Sequence, residues 1–517
     1  MKSTTTKLAA AVAALAGALL LPALAAATPT PLNSPAIAGV PAVPGPTAPA
    51  AKPSASMGVL KTTPDIGVSG TKFTLSGSGL PAGKNVSITW STANVTWILD
   101  PRPDTVDYLG RQTTKFAVVL AQATTDATGS FSVVLSAPKD WGGIHDLYAV
   151  VDGVQYAKGG FLVARWASIT PKRGPIGTPI TITYSGLGSS LYEGGAALLY
   201  DNKFVGAMTS NWTRGTATAH IRASGPVGRH IISLDNAVNF GYLNVQQSPL
   251  PWTTEFQLKF TVTKDAGRPK ARLDWPKQVA PTLDAKTTLQ LASVAGGTTA
   301  SASLASQAGQ VNTKVGLTAT GLLPNTPVDL EWSTVVGNRV NCTGTCWAFV
   351  SVPLGTGTTT AGGGLASSIT IPDGLGGWHV VQLLQNGKVM TQVPYYVKRS
   401  LFGVPQLRVK QGQVFQVHLK GLGWTQLDNT IAVDYDNSYV GYGCGFNSNG
   451  DVVLNIVATG GPGTHLIDGY PLLYSQQPSY ANTPYGMVPF LSYADDEPGL
   501  ALGYQLPAFR LAVTVVK

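Results

Sequence analysis

An internal duplication constrains the fold of this 517-residue chain more than any other feature. Matching residues recur at one spacing of 235 positions, which is the difference between 421 and 186, so the two copies align over this region without a gap. The matches are Gly186-Leu187-Gly188 with Gly421-Leu422-Gly423, Tyr200-Asp201-Asn202 with Tyr435-Asp436-Asn437, and His230 with His465. Self-similarity at a fixed period is typical of chains built from repeated structural units. The sequence therefore predicts two equivalent halves.

Further matches lie upstream of these residues. Trp90-Ser91-Thr92 recurs as Trp332-Ser333-Thr334. The pair Gly142-Gly143 recurs as Gly376-Gly377, and a histidine follows each pair. Each copy therefore spans roughly 200 residues, whereas one immunoglobulin-type sandwich takes about 100. We interpret each copy as two domains.

The local pattern of the sequence is that of short β-strands. Segments such as 72–76, 86–90 and 180–184 alternate or cluster β-branched and aromatic residues between turn signals. The equivalent segments 213–216 and 448–451 contain glycine and are predicted to be hairpin turns that need a positive φ. Short strands at this spacing predict an all-β fold of tandem immunoglobulin-like β-sandwich domains, two copies of a two-domain unit, after a signal peptide and a disordered linker.

The chain begins with Lys2, Lys7 and an apolar run from Leu8 to Leu21, followed by small residues. This is the arrangement of a secretory signal peptide, so cleavage near Ala27 and export are expected, with no transmembrane segment in the mature chain. The predicted divisions are a signal peptide (1–27), a Pro/Ala-rich disordered linker (28–57), domain 1 (58–165), domain 2 (166–264), a linker (265–307), domain 3 (308–399) and domain 4 (400–517). The second linker is expected to let the two halves move independently.

The start of domain 2 carries a family resemblance. Ser168-Ile169-Thr170-Pro171, the segment from Gly174 to Ile182 and the corner Gly186-Leu187-Gly188 resemble the opening of bacterial Ig-like modules of the IPT/TIG type. The resemblance implies an exported surface or matrix protein, or an accessory module. Its motifs are structural, so it implies no catalytic residues.

Composition narrows the choice of partners. Charged residues make up 12% of the chain, and its net charge of +9 is not concentrated in a basic block beside aromatic residues, which argues against nucleic-acid binding. Of three cysteines, Cys342 and Cys346 could pair in an oxidising compartment, which would leave Cys444 free. No metal site and no cofactor is predicted.

The sequence contains no common catalytic motif, and no catalytic residue is predicted. The equivalent histidines, His145 with His379 and His230 with His465, are interpreted as packing residues that bond neighbouring carbonyl groups, rather than as ligands or bases. Asp201 and Asp436 precede asparagine between two strands, which is ordinary turn chemistry. The run 495–497 of three acids could bind calcium, but a solvated loop is favoured because consecutive side chains point different ways.

The second copy contains a tyrosine-rich insertion, residues 479–506, which the first copy lacks. Its aromatic residues suit stacking on a glycan or contact with a protein, and five of them form the predicted ligand-binding set: Tyr480, Tyr485, Phe490, Tyr493 and Tyr504. The alternative is that the insertion folds back and covers a sandwich edge or the neighbouring domain. A second insertion, 100–113, includes Tyr108 and Arg111.

These features together predict an exported, non-catalytic protein of the cell surface or extracellular medium. Its expected role is binding or structural: adhesion, matrix or surface-layer assembly, or glycan binding. The expected partners are cell-surface glycans or other envelope proteins, with self-association as a further option. The alternative is a secreted hydrolase acting on polysaccharide or protein, or its accessory module.

Overall fold

The computed structural model describes residues 45–102, 105–190, 194–210, 213–236, 254–270, 272–273, 294–337, 347–403, 406–423, 430–445, 448–472, 488–492 and 509–517. All of these residues belong to one compact unit, Pro31–Lys517. Every regular element in them is a β-strand, and the strands form eight sheets. The all-β prediction is confirmed.

Domain 1 is a sandwich of a larger and a smaller sheet. The larger sheet has the order β1-β9-β8-β5-β6, with β3 beside β9, and the smaller has the order β2-β4-β7. Its strands are β1 (Lys52–Val59), β2 (Lys61–Thr63), β3 (Ile66–Gly67), β4 (Lys72–Gly77), β5 (Asn85–Arg102), β6 (Thr105–Thr124), β7 (Phe131–Ser136), β8 (Gly143–Val151) and β9 (Val154–Val163).

Domain 2 repeats this arrangement with sheets β11-β17-β16-β13-β14 and β10-β12-β15. Its strands are β10 (Trp166–Thr170), β11 (Arg173–Gly174), β12 (Pro179–Ser185), β13 (Gly195–Tyr200), β14 (Lys203–Thr209), β15 (Thr216–Arg222), β16 (Gly228–Asn236) and β17 (Thr254–Val262). In β12, Ile180, Ile182 and Tyr184 are buried in the core between less buried residues, because successive side chains of a strand point to opposite faces.

Domains 3 and 4 contain the second copy. The strands are β18 (Arg272–Leu273), β19 (Ser301–Leu304), β20 (Ala308–Gly309), β21 (Lys314–Thr320), β22 (Pro327–Gly337), β23 (Trp347–Thr358), β24 (Leu365–Thr370), β25 (Gly377–Gln385), β26 (Lys388–Val397), β27 (Ser400–Leu401), β28 (Arg408–Lys410), β29 (Val414–Lys420), β30 (Thr430–Tyr435), β31 (Tyr439–Cys444), β32 (Val452–Val457), β33 (Gly463–Pro471) and β34 (Phe509–Val516). Domain 3 has sheets β20-β26-β25-β22-β23 and β19-β21-β24; domain 4 has β18-β34-β33-β30-β31, with β28 beside β34, and β27-β29-β32.

The same strand order in all four sandwiches establishes the tandem immunoglobulin-like fold and its duplication. In each domain a short strand (β3, β11, β20 or β28) runs parallel to the strand of the larger sheet that comes last in the chain, and apart from β1 with β9 the other strand pairs are antiparallel. The predicted turns are also confirmed. Asp201 and Asn202 have φ of 50° and 63°, and Arg214 and Gly215 have φ of 52° and 87°, as two-residue hairpin turns require.

Three ordered segments extend beyond the predicted domain limits. Strand β1 begins at Lys52 inside the predicted first linker and pairs in parallel with β9. The second predicted linker contributes β18 to the sheet of domain 4 and β19 to that of domain 3. The sequence around β1 has no β-branched or aromatic run, so its pairing comes from the free edge of β9 rather than from local propensity. The predicted insertion 100–113 is the tip of one long hairpin, in which β5 and β6 remain paired as far as Arg102 and Thr105.

The expectation that the two halves move independently is wrong. Domains 2 and 4 share one hydrophobic core, in which Ala432, Tyr470, Leu472 and Leu491 pack with the buried residues of domain 2. Tight packing of this kind fixes the relative position of the two domains. Within the described residues, no helix is long and apolar enough to cross a membrane.

Candidate functional site

The described part of the tyrosine-rich insertion, residues 488–492, lies along the edge strand β14 of domain 2. The Ala207 amide donates a hydrogen bond to the Pro489 carbonyl (2.8 Å), and the Leu491 amide donates to the Ala207 carbonyl (2.8 Å). The Ser492 hydroxyl also accepts a hydrogen bond from the Thr209 amide (2.7 Å). The insertion therefore bridges domain 4 to domain 2 by adding a short strand segment.

This position determines what Phe490 can do. Its side chain is 3% exposed, so the ring has almost no surface to offer a ligand in this conformation. Its place is in the contact between domains, which is the alternative that the sequence left open. The other four residues of the predicted set, Tyr480, Tyr485, Tyr493 and Tyr504, lie outside the described residues, and their binding role stays a prediction.

A buried ion pair joins the same two domains beside the shared core. Arg222 of β15 donates two hydrogen bonds to Asp468 of β33, Nη2 to Oδ1 at 2.6 Å and Nε to Oδ2 at 3.2 Å. It also donates to the Leu511 carbonyl at 2.7 Å, and Asn437 donates to the Arg222 carbonyl at 2.7 Å. A buried ion pair is tolerated when further hydrogen bonds satisfy its donors, so this arrangement fixes the register between the domains.

Asp434 of β30 lies directly opposite Asp468 in the sheet. Its side chain is buried, and neither carboxylate oxygen has a hydrogen-bond partner in the structure. Burial, together with the nearby charge of Asp468, raises the pKa of Asp434 well above its ordinary value. Both effects favour the neutral, protonated form of Asp434, whereas the carboxylate of Asp468 is paired with Arg222.

Sequence reasoning missed these interdomain residues, although a signal was present. Asp434 and Asp468 occupy positions at which the first copy has Leu199 and Ser233, and Arg222 has Val457 as its counterpart. A charged residue at a strand position where the other copy is uncharged marks a contact that only one copy makes.

The four repeated histidines have the packing role that the sequence predicted. In domain 1 the two ring nitrogens of His145 lie 2.6 Å from the Ser91 carbonyl and 2.8 Å from the Trp141 carbonyl, and its ring stacks on Trp90. In domain 3 His379 makes the same contacts, with the Ser333 and Leu375 carbonyls, and stacks on Trp332. Burial lowers the pKa of His379 to about 4, so its ring is neutral at neutral pH.

In domains 2 and 4 the histidine binds an aspartate of the preceding turn. His465 Nδ1 lies 2.5 Å from Asp436 Oδ2, and its Nε2 lies 2.7 Å from the Gly461 carbonyl. His230 makes the equivalent contacts with Asp201 and the Pro226 carbonyl. Burial alone would lower the pKa of His465, but the hydrogen bond to Asp436 and its charge raise it above the ordinary value. The carboxylate of Asp436 favours the protonated ring at this site, whereas His379 has only uncharged carbonyl partners.

The junction between domains 1 and 2 is closed by a second buried ion pair. Arg214 Nη2 donates to Asp140 Oδ1 (3.1 Å) and to Thr92 Oγ1 (2.7 Å), while Trp90 Nε1 donates to Asp140 Oδ2 (2.9 Å). At Gly142 a Cβ atom would lie 1.6 Å from the Gly186 carbonyl oxygen, so the two backbones can meet only because this residue is glycine.

The junction between domains 3 and 4 keeps the backbone contact and replaces the charges. A Cβ at Gly376 would lie 1.7 Å from the Gly421 carbonyl oxygen, as at the first junction. However, Gly374 occupies the position of Asp140, and Asn449 occupies the position of Arg214. A partly exposed cluster provides the charge contact instead, since Lys420 binds Asp373 of domain 3 and lies 3.3 Å from Asp451. The hydrogen bond to Asp373 raises the pKa of Lys420.

Among the described residues, the remaining acids and cysteines form no shared site. Asp146, next to His145 in sequence, faces the other side of its strand and pairs with Lys158 at 3.0 Å. Within the described residues, no three His, Cys, Asp or Glu side chains are grouped to hold a metal ion. Cys444 is free and exposed. The predicted disulfide partners Cys342 and Cys346, and the acidic run 495–497, lie outside the described residues.

The sequence matches no protein-family model and no curated protein. Solved structures that resemble the chain include an Escherichia coli adhesin, FdeC (14% identity, 68% of this chain and 99% of that chain, TM-score 0.16). Others are invasin, a bacterial integrin-binding protein (13%, 82% and 77%, TM-score 0.18), and the Down syndrome cell adhesion molecule (12%, 89% and 55%, TM-score 0.17). Likeness this weak carries no argument about function, and the fold assignment rests on the strand order described above. The IPT/TIG type stays a prediction.

Proposed function

We propose that this protein is an exported, non-catalytic binding or structural protein of the cell surface or extracellular medium. In this proposal domains 2 and 4 form a fixed base, and domains 1 and 3 are the two equivalent modules that the base presents. The shared core of domains 2 and 4, sealed by Arg222 and Asp468, is the observation that carries the proposal. Two binding modules held at a fixed separation gain avidity for a surface that displays repeated ligands.

The polar groups of the described residues support the non-catalytic part of this proposal. The repeated histidines bond backbone carbonyls or turn aspartates, and the buried ion pairs join domains, so these groups hold strands together. General acid–base catalysis instead needs titratable groups that converge on a substrate. Adhesion, matrix or surface-layer assembly, and glycan binding remain the candidate roles, and glycans or envelope proteins the candidate partners.

The test is fractionation of producing cells, with the protein blotted in medium, envelope and cytoplasm before and after a high-salt wash. The proposal predicts a processed chain in the envelope or medium. Retention in the envelope through the salt wash would support assembly at the surface, whereas free protein in the medium would favour a soluble ligand. Recovery of the unprocessed chain in the cytoplasm would refute export. Turnover of a polymer by the purified chain would refute the non-catalytic part.

A further inference from the structure

Near one end of each larger sheet, three side chains form an equivalent row on the outer face. In domain 2 the row crosses β11, β17 and β16, and the other domains use the corresponding strands. Residues opposite each other in neighbouring strands point to the same face, so the three side chains of a row lie side by side. The rows are Ile66, Leu162 and Ile144 in domain 1; Arg173, Thr261 and Arg229 in domain 2; Ala308, Tyr396 and Trp378 in domain 3; and Arg408, Thr514 and Thr464 in domain 4.

The four rows share one backbone arrangement but differ in chemistry. The row is apolar in domain 1, where Ile66 and Ile144 are 51% and 76% exposed. It is aromatic in domain 3, where the rings of Trp378 and Tyr396 meet edge to face. In domain 4 it contains one cation, Arg408. The fold therefore accepts uncharged residues at these positions, and the packing of the sandwich does not account for the two arginines of domain 2.

In domain 2 the row and one further residue of β17 form a cationic patch, which consists of Arg173, Arg229, Lys259 and Thr261. The two arginines flank Thr261, so their Cα atoms are two strand spacings apart, roughly 10 Å. Lys259 lies two residues before Thr261 on the same face of β17 and is diagonal to Arg229, at roughly 7–8 Å. All four side chains are exposed, whereas Phe260, which points to the opposite face of β17, is buried in the core.

No carboxylate among the described residues neutralises the cationic patch, since none of its three cations forms an ion pair with one. The acid of the neighbouring turn, Asp201, binds His230 and accepts a hydrogen bond from the Ile231 amide. Asp265, which follows β17, accepts a hydrogen bond from the Thr464 amide of domain 4 at 3.3 Å. Like charges on neighbouring strands repel each other. An anion that binds across the patch would remove this unfavourable interaction.

We propose that the cationic patch of domain 2 binds an anionic polysaccharide. Arginine binds carboxylate and phosphate groups through a planar fork of N–H donors. The Thr261 hydroxyl, between the two arginines, can donate a hydrogen bond to a sugar hydroxyl or accept one from it. The spacing of the cations favours a ligand with several anionic groups along its length over a single small anion. Because the patch has no aromatic side chain on which a base could stack, a polysaccharide is favoured over a single-stranded nucleic acid.

The inference rests on the proposed function as an exported binding protein and names one class of partner for it. It adds a site on domain 2, which is part of the fixed base, to the modules that the base presents. The cations come from positions 173, 229 and 259, which are far apart in the sequence, so the patch exists only in the folded domain.

The test measures binding of the purified full chain to three polymers with one backbone: dextran, carboxymethyl dextran and dextran phosphate. The chain is expected to bind one or both anionic dextrans and not neutral dextran. Binding should weaken as the salt concentration rises, because exposed charges are screened. The patch variant, Arg173→Gln/Arg229→Gln/Lys259→Gln, should bind about tenfold more weakly, as expected for the loss of three exposed charge contacts. The two anionic polymers distinguish carboxylate from phosphate as the group recognised.

The matched control removes the same charge from another part of the molecule. Lys72, Lys314 and Lys388 are exposed residues of domains 1 and 3. The variant Lys72→Gln/Lys314→Gln/Lys388→Gln should therefore bind the anionic dextrans like the unmodified chain. Circular dichroism of both triple variants establishes that they are folded.

Three results would overturn the proposal. The first is absence of binding to both anionic dextrans at low salt. The second is equal weakening by the two triple variants, which would assign the attraction to net charge rather than to the patch. The third is tighter binding to vesicles of anionic phospholipid than to either anionic dextran, lost in the patch variant, which would identify a membrane as the partner. Export in the fractionation test without polymer binding would leave the proposed function in place and remove only this site.

Discussion

The buried histidine of domain 3 should make that domain sensitive to acid. His379 has a pKa lowered to about 4 by burial, whereas an exposed histidine in the unfolded chain has a pKa near 6.5. Between these two values the unfolded chain binds a proton that the folded domain does not bind. Acidification through this range therefore favours unfolding, and below about pH 4 the effect levels off.

The size of the effect follows from the two pKa values. A difference between 6.5 and about 4, at 1.36 kcal/mol for each pKa unit, amounts to a loss of about 3 kcal/mol from the free energy of unfolding. This is a large fraction of the stability of a small domain. The loss should be absent in His379→Gln, because glutamine has no proton to gain in this range.

Hydrogen exchange of the amides in β22 and β25 between pH 7 and pH 4 provides the assay, after correction for the intrinsic pH dependence of exchange. These neighbouring strands contain Trp332 and His379, whose rings stack on each other. His230→Gln, a change in domain 2, serves as the control and should leave the opening free energy of domain 3 unchanged. An equal loss of protection in His379→Gln, or titration of the His379 ring near pH 6.5 by NMR, would refute the reasoning.

Three further predictions concern the other buried or paired charges. Asp468→Leu should lower the free energy of unfolding by about 3–5 kcal/mol, because it leaves Arg222 buried without its partner, whereas the double change Arg222→Met/Asp468→Leu should cost less; urea denaturation distinguishes them. Raising the pH should destabilise the contact between domains 2 and 4, because the raised pKa of Asp434 means that the folded state loses this proton at a higher pH than the unfolded chain. In denaturation experiments at several pH values, Asp434→Asn should remove this decrease of the free energy of unfolding with pH. Lys420→Ser should lower the free energy of unfolding by about 0.2–1 kcal/mol, and by less at high salt. Arg214→Ser should lower it by about 3–5 kcal/mol with little dependence on salt. Thermal unfolding at two ionic strengths tests both expectations.

Much of the fold followed from the sequence because its signals are local. The alternation in β12 and the Asp-Asn turn after β13 each depend on residues close together in the chain, and the duplication extended these assignments to domain 4. The repeated histidines were also interpreted correctly, since a residue kept in equivalent places of a duplicated fold has a structural reason to be there.

The contact between domains 2 and 4 could not be predicted in the same way. It brings Arg222 against Asp468 across 246 positions of sequence, and no local pattern specifies such a pairing. The covering of β14 by residues 488–492 is a further case, because a short proline-containing segment has no strand propensity of its own. This segment is held in place by hydrogen bonds to the backbone N–H and C=O groups at the edge of β14.

The unequal junctions also determine which domains can be joined. A chimera that places domain 1 before domain 4 would bury Asp140 opposite Asn449, a carboxylate without its cation. The reciprocal chimera would set Arg214 opposite Gly374, a cation without its carboxylate. Although the two copies share their backbone contacts, each first domain therefore recognises its own second domain. During folding of a chain with four similar sandwiches, this mismatch penalises exchange between the halves.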